Sequence, residues 1–165
     1  MNVDGLRKPA FYAYEFLAQL YDAEIPVDAP RVIATKNGSD VRVLLWDYSP
    51  PKADQPNIPF YQRDIPATPL PSAALSIAGL PQGTYRVSRV GTGWHRNDVY
   101  DAYLALGKPA DSGAHLPPAI LGKLQAASSG EVEMLSDVIV SSTGAAEIQL
   151  PMRTNDVWLV SIEKE

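Results

Sequence analysis

The residues best suited to chemistry lie in one stretch, GTGWHRNDVYDAYLALGKP, which begins at Gly91. Hydrolysis by two carboxyl groups requires them at a defined separation across a cleft, and Asp98 and Asp101 are the acidic pair of this stretch. A spacing of three residues in a loop is common by chance, and aspartate favours turns and helix caps. We therefore expect turn-forming and capping roles for this pair, and we predict no catalytic residue in the chain.

Metal and cofactor chemistry finds little support in the composition. The chain has no cysteine, which excludes disulfides, a thiolate nucleophile and Cys-ligated zinc or iron–sulfur sites. His95 and His115 are the only histidines, too few for a His-rich metal site. We predict no metal and no cofactor, although a site with mixed Asp, Asn and His ligands stays open.

A dense cluster of polar and aromatic side chains surrounds His95. Clusters of this kind either pack a loop or contact a ligand, and the packing role is the commoner one. The residues that would contact a ligand or face a cleft are Trp94, His95, Asn97, Asp98 and Tyr100.

Tryptophan faces can also stack on sugar rings. A carbohydrate-binding module is therefore one of the functions that we consider. Trp46 and Trp158 lie within predicted strands, where tryptophan more often packs in a core or on a sheet face. Trp94 is then the remaining candidate for a sugar-binding platform.

Net charge and hydropathy argue against two classes of binding partner, nucleic acids and membranes. The net charge is −5 and the 14 basic residues are scattered, which argues against nucleic-acid binding. No apolar run is long enough to span a bilayer, and the N-terminus does not resemble a signal peptide. We expect no membrane partner, and either a cytoplasmic location or a targeting segment upstream of Met1 that would also allow the periplasm.

The element that precedes all these residues is a helix predicted over Lys8 to Tyr21, with Pro9 in its first turn. Apolar side chains surround nearly its whole circumference, whereas a surface helix shows one apolar stripe. We therefore expect this helix to be covered on two sides. The residues predicted to contact a partner there are Phe11, Tyr12, Tyr14, Phe16, Leu17 and Leu20.

Short strand-like runs separated by turn signals follow the helix, which is typical of an antiparallel β-sandwich. Lys36 to Asp40 contains Asn-Gly, a strong hairpin signal. The predicted strands are Arg31–Thr35, Val41–Tyr48, Ala73–Ile77, Tyr85–Val90, Glu131–Val140, Ala146–Leu150 and Val157–Glu163. We predict a mainly β fold of about seven to nine strands with an N-terminal helix.

Two long insertions interrupt the series of predicted strands. Ser49 to Pro71 is rich in proline and longer than loops in compact domains usually are, so we expect it to be pinned to the rest of the domain. Gly91 to Gly130 contains the chemistry-bearing stretch and a short helix predicted over Pro117–Ala127.

Five segments together resemble the C-terminal part of glycoside hydrolase family 39, in particular bacterial β-xylosidases. They are RKPAFYAYEFLAQL, VRVLLWDYS, DQPNIPFYQRDIP, RVGTGWHRNDVYDAYLALGKP and NDVWLVSIEK. The resemblance implies that residues 1–24 form the last helix of a (β/α)8 barrel and residues 25–165 a β-sandwich accessory domain. It places the catalytic glutamates upstream of this chain.

The function that the resemblance implies is a non-catalytic accessory domain that packs on and stabilises the catalytic barrel of a retaining, β-xylosidase-type enzyme. The barrel is then the expected partner. A homo-oligomer and a xylo-oligosaccharide are further candidate partners, the latter for the carbohydrate-binding alternative.

Overall fold

A computed structural model describes residues 4–49, 64–108 and 115–165 of the chain. Within these residues it contains the helices α1 (Pro9–Ala18), α2 (Val99–Ala105) and α3 (Pro118–Ala126). The strands are β1 (Ala23–Ile25), β2 (Val32–Asn37), β3 (Asp40–Trp46), β4 (Pro69–Ile77), β5 (Gly83–Thr92), β6 (Glu133–Met134), β7 (Val138–Val140), β8 (Ala146–Arg153) and β9 (Val157–Lys164).

The strands form two antiparallel layers. The larger is a 7-stranded sheet in the order β1-β2-β3-β9-β5-β6, with β7 also paired to β5. The smaller is a 2-stranded sheet of β4 and β8. The predicted antiparallel β-sandwich with an N-terminal helix is confirmed.

The Asn-Gly hairpin forms as predicted. Asn37 pairs with Asp40 at the end of the β2–β3 ladder, which leaves Gly38 and Ser39 as a two-residue turn. Gly38 has φ +61°, a left-handed conformation that glycine adopts without a steric penalty. This turn fixes the register in which β2 pairs with β3.

The main hydrophobic core lies between the two layers. Alternate residues of β8 point inwards, and Ile148, Leu150 and Met152 meet Val87 and Val160 of the large sheet. Trp158 belongs to the same core and is almost completely buried. The alternation on β8 is the period of two expected for a strand with one buried face.

Helix α1 covers the outer face of the large sheet. Tyr12 and Phe16, one turn apart, pack against Leu44 of β3 and Leu159 of β9 in a second hydrophobic cluster. Pro9 occupies the first turn, where its missing N–H costs no helical hydrogen bond. The helix ends at Ala18, earlier than the predicted Tyr21, and β1 begins at Ala23, so that β1 crosses the expected domain boundary at residue 24.

Three local predictions were incomplete. The predicted strand Glu131–Val140 is two short strands, β6 and β7, which both pair with β5. Strand β1 is absent from the predicted strands. The second insertion contains α2 in addition to α3, which matches the short helix that the sequence predicts.

None of the helices in the described ranges has the length and apolar character needed to cross a membrane.

Candidate functional site

The chemistry-bearing stretch starts as a tight turn at the end of β5. Gly93 and Arg96 exchange two backbone hydrogen bonds of 3.0 Å each, which places Trp94 and His95 at the tip of the turn. His95 has φ 57°, in the left-handed region that residues other than glycine seldom adopt. The turn therefore presents its indole and imidazole side by side, with ring centroids 4.3 Å apart.

The two glycines of Gly91-Thr92-Gly93 serve close packing. A Cβ atom on Gly91 would overlap the ring of Trp158, its partner across the β5–β9 ladder. A Cβ atom on Gly93 would overlap the carboxylate of Asp156. These glycines let neighbouring groups approach the backbone closely.

Asn97 fastens the turn to the rest of the insertion. Its side-chain amide donates a 2.7 Å hydrogen bond to the carbonyl of Gly91, and its Oδ1 accepts one of 2.9 Å from the backbone N–H of Gly130. Asn97 is 8% exposed and has φ 49°. Its polar atoms are thus used within the protein, so this candidate ligand residue has a packing role.

Asp98 is the N-cap of α2, because its Oδ1 accepts a 2.9 Å hydrogen bond from the backbone N–H of Tyr100. Tyr100 lies in the first turn of that helix. The carboxylate of Asp101 accepts a 2.9 Å hydrogen bond from the backbone N–H of His95. The expected capping and turn-forming roles of Asp98 and Asp101 are therefore confirmed.

Asp64, in the segment that leads into β4, joins this group from a distant part of the chain. One of its carboxylate oxygens accepts a 2.7 Å hydrogen bond from the indole N–H of Trp94, and the other lies 2.8 Å from Nε2 of His95. The same Nε2 lies 3.7 Å from Oδ2 of Asp101. Asp64, His95 and Asp101, which we call the Asp–His–Asp cluster, thus converge on one point.

Electrostatics differ between these carboxyl groups. The hydrogen bonds from His95 and then Trp94 hold the pKa of Asp64 below its ordinary value. Burial raises the pKa of Asp98, and the nearby negative charge of Asp101 raises it further. Carboxyl groups therefore outnumber the single imidazole at this point of the molecule.

Each of the three tryptophans has contacts that argue against a role as a sugar-binding platform. Trp158 is 2% exposed in the core, and Trp46 packs against the cluster under α1. The ring of Trp94 contacts the His95 ring, and the guanidinium of Arg153 lies 4.9 Å from its centroid. These contacts occupy aromatic surface that a sugar ring would need.

The predicted partner residues of α1 fall into separate groups. Tyr12 and Phe16 are fully buried against the sheet of this chain, so they offer no surface to a second partner. Phe11 and Leu20 are half-buried. Tyr14 is 74% exposed and Leu17 is 44% exposed, on the opposite side of the helix.

Two cavities are found among the described residues. One of about 690 Å³ opens between β4 and the inner face of β2 and β3, and one of about 220 Å³ is lined by Arg89, Arg96 and Arg153. Neither is lined by Asp98 or Asp101, so this acidic pair does not face either of these cavities.

Sequence reasoning missed Asp64, because it lies 31 residues before His95 in the chain. The only local signal was the expectation that the first insertion is pinned. The described ends of that insertion do make such contacts, since Thr68 and Thr154 exchange hydrogen bonds of 2.9 and 3.0 Å. Most of the segment DQPNIPFYQRDIP lies outside the described residues.

Comparison with known proteins gives clear structural relatives. No protein-family model and no curated protein matches the chain. The GH39 enzyme from Xanthomonas axonopodis pv. citri is 35% identical with a TM-score of 0.89, over 100% of this chain and 32% of that one. A monomeric β-xylosidase from Caulobacter crescentus CB15 is 31% identical with a TM-score of 0.85, over 99% of this chain and 32% of that one.

A GH39 β-xylosidase structure from Caulobacter crescentus is 27% identical, with a TM-score of 0.67, over 99% of this chain and 29% of that one. The chain thus spans about a third of the length of these enzymes. It belongs to glycoside hydrolase family 39, where it corresponds to the C-terminal region of the enzymes.

Proposed function

We propose that this chain is a non-catalytic β-sandwich accessory domain that packs on and stabilises the catalytic (β/α)8 barrel of a β-xylosidase-like enzyme. The observation that carries the proposal is the division of α1 into two apolar faces. Tyr12 and Phe16 are buried against the sheet, whereas Tyr14 and Leu17 face away from it and are exposed.

The energetics of α1 support a second partner. Burying a large apolar side chain contributes about 1.5–3 kcal/mol, so covering Tyr14 and Leu17 would add a substantial fraction of a domain's stability. Tyr14 and Leu17 lie one turn apart and together form a small exposed apolar patch. The family relationship supports a barrel as this partner, because the matched enzymes are about three times as long as this chain.

The roles of the acidic residues support a non-catalytic domain. Asp98 caps α2 and Asp101 binds the backbone of the Trp94-His95 turn, so each has a structural task. A glycosidase needs one carboxyl group as an acid and another as base or nucleophile, both facing the scissile bond. Asp98 and Asp101 each have a backbone partner and line neither cavity described above.

Self-association of the isolated chain tests the docking face. We expect the chain to associate as its concentration rises, because a second copy would bury the exposed apolar side of α1. Size-exclusion chromatography with light scattering measures this association. The double variant Tyr14→Lys with Leu17→Glu should be monomeric. The matched control is Ile139→Lys, which removes an apolar residue that is 81% exposed on β7 and should associate like the wild type.

A wild-type chain that stays monomeric while α1 is ordered would contradict the docking face. The catalytic part of the proposal is tested with a chromogenic xyloside. We expect no turnover by the purified chain, and turnover that disappears in Asp98→Asn or Asp101→Asn would overturn the non-catalytic assignment.

A further inference from the structure

The Asp–His–Asp cluster has the geometry of a metal site. Its three ligand atoms lie within 4.8 Å of one another and come from the segment before β4, the turn after β5, and helix α2. In tetrahedral coordination at about 2.0–2.2 Å, neighbouring ligand atoms lie about 3.4 Å apart. The separations of Nε2 of His95 from the carboxylate oxygens, 2.8 and 3.7 Å, lie on either side of that value.

The charges around this point are unbalanced. Asp64 and Asp101 contribute two carboxylates, and Asp98 is close enough to repel Asp101. His95 is the only side chain of the cluster that can carry a positive charge. Arg153 is a nearby cation, and its guanidinium lies over the ring of Trp94, while one of its N–H groups bonds to the carbonyl of Ala67. A divalent cation would offset the remaining negative charge.

We propose that Asp64, His95 and Asp101 bind one divalent transition-metal ion of the zinc type, with solvent completing its coordination. One imidazole and two carboxylates are ligands that such ions accept, and the exposed positions of Asp64 and His95 leave a path for entry. The ion replaces the hydrogen bond between Nε2 of His95 and Asp64. The ligand is a neutral imidazole with its proton on Nδ1, so an imidazolium releases its Nε2 proton to solvent and a neutral ring protonated on Nε2 moves that proton to Nδ1.

Neighbouring groups already hold the ligands in place, as outer-shell partners do at metal sites. The indole N–H of Trp94 holds the second oxygen of Asp64, and the backbone N–H of His95 holds Asp101. His95 has a left-handed backbone, and its imidazole lies close to both carboxylates. The site is thus assembled before an ion arrives, which lowers the cost of binding.

Calorimetric titration of the EDTA-treated 165-residue chain with zinc chloride tests the proposal. We expect one ion per chain, and an observed binding heat that changes with the ionisation enthalpy of the buffer in proportion to the protons released. His95→Asn keeps a residue that tolerates the left-handed backbone, and it should weaken binding by about 100-fold or more, as should Asp64→Asn. Trp94→Phe, which removes the indole N–H that bonds to Asp64, should weaken it by about 10-fold.

The matched control is His115→Asn. Nδ1 of His115 lies 2.7 Å from a carboxylate oxygen of Asp4, so it is a second exposed His–Asp contact, outside the three-ligand cluster. Zinc affinity should be unchanged in this variant. Cobalt should give the visible absorption of a four-coordinate site in the wild type and lose it in His95→Asn. Absence of saturation at millimolar zinc, or equal losses in His95→Asn and His115→Asn, would overturn the proposal.

Circular dichroism and a urea midpoint of metal-free His95→Asn establish that the variant is folded. If it is unfolded, Asp64→Asn supplies the same test, because it keeps the turn and its left-handed backbone intact. Neither outcome depends on a barrel partner, so failure here leaves the proposed accessory function untouched.

Discussion

The hydroxyl of Tyr12 donates a hydrogen bond to the backbone carbonyl of Ser128, 116 residues further along the chain. Tyr12 is fully buried, and Ser128 directly follows the last turn of α3. The bond therefore ties α1 to the insertion that carries the turn at His95. Any partner that docks on α1 is thereby linked to that insertion through a buried contact.

Tyr12→Phe should lower the free energy of unfolding by about 1–2 kcal/mol, because the buried carbonyl of Ser128 loses its donor while the packing volume is kept. Urea denaturation measures the effect. Tyr14→Phe removes the hydroxyl of an exposed tyrosine on the same helix and should change stability little. Equal effects of the two substitutions would contradict the role of the Tyr12–Ser128 bond.

Truncating a side chain to alanine should change stability by very different amounts on the two sides of α1. Phe16→Ala opens a cavity between the helix and Leu44 and Leu159, and should cost about 3–5 kcal/mol of stability. Tyr14→Ala on the exposed side should change it by less than about 0.5 kcal/mol in the isolated chain. Thermal or urea unfolding of both variants compares them, and similar losses would mean that α1 is packed on both sides.

Much of the fold could be predicted from local signals. A strand-like run between turn signals predicts most of β8, and Asn37-Gly38 predicts the hairpin that sets the register between β2 and β3. The strand β1 has only three residues and is followed by Pro26, so it gives no periodic pattern. Its existence depends on pairing with β2, a tertiary contact that propensity does not encode.

The same distinction applies to the candidate site. The local roles of Asp98 and Asp101 follow from the preference of aspartate for caps and turns, and the structure bears them out. The arrival of Asp64 at His95 does not follow, because no spacing rule relates residues from separate loops. Likewise the split of Glu131–Val140 into β6 and β7 reflects how the chain follows β5, across Ser136 and Asp137.

Gly91 should not tolerate a side chain. Gly91→Ala forces a methyl group into the ring of Trp158, and overpacking of this kind costs about 1–3 kcal/mol. The matched control is Gly122→Ala, in the interior of α3 with no atom within 4 Å of the added carbon. That change should stabilise the chain by about 0.5–1 kcal/mol, because alanine favours a helix. The urea midpoint should fall in Gly91→Ala and rise in Gly122→Ala.

The raised pKa of Asp98 predicts a specific pH dependence. A carboxyl group whose pKa is higher in the folded state binds more protons when folded, so its contribution to stability is greatest below the unfolded pKa, about 3.8, and falls as the pH rises through the folded value. Asp98→Asn removes this titration and keeps an N-cap, since asparagine caps helices as well as aspartate does.

The wild type should therefore lose stability relative to Asp98→Asn as the pH rises from about 3.5 to 7, as measured by urea unfolding at several pH values. Taking the difference between the two proteins cancels the other carboxyl groups, including Asp156, whose pKa burial also raises. Asp64→Asn should show the opposite sign, because the partners of Asp64 lower its pKa and its contribution is lost on acidification. A flat difference curve for Asp98→Asn would mean that burial of this cap does not disfavour its charge.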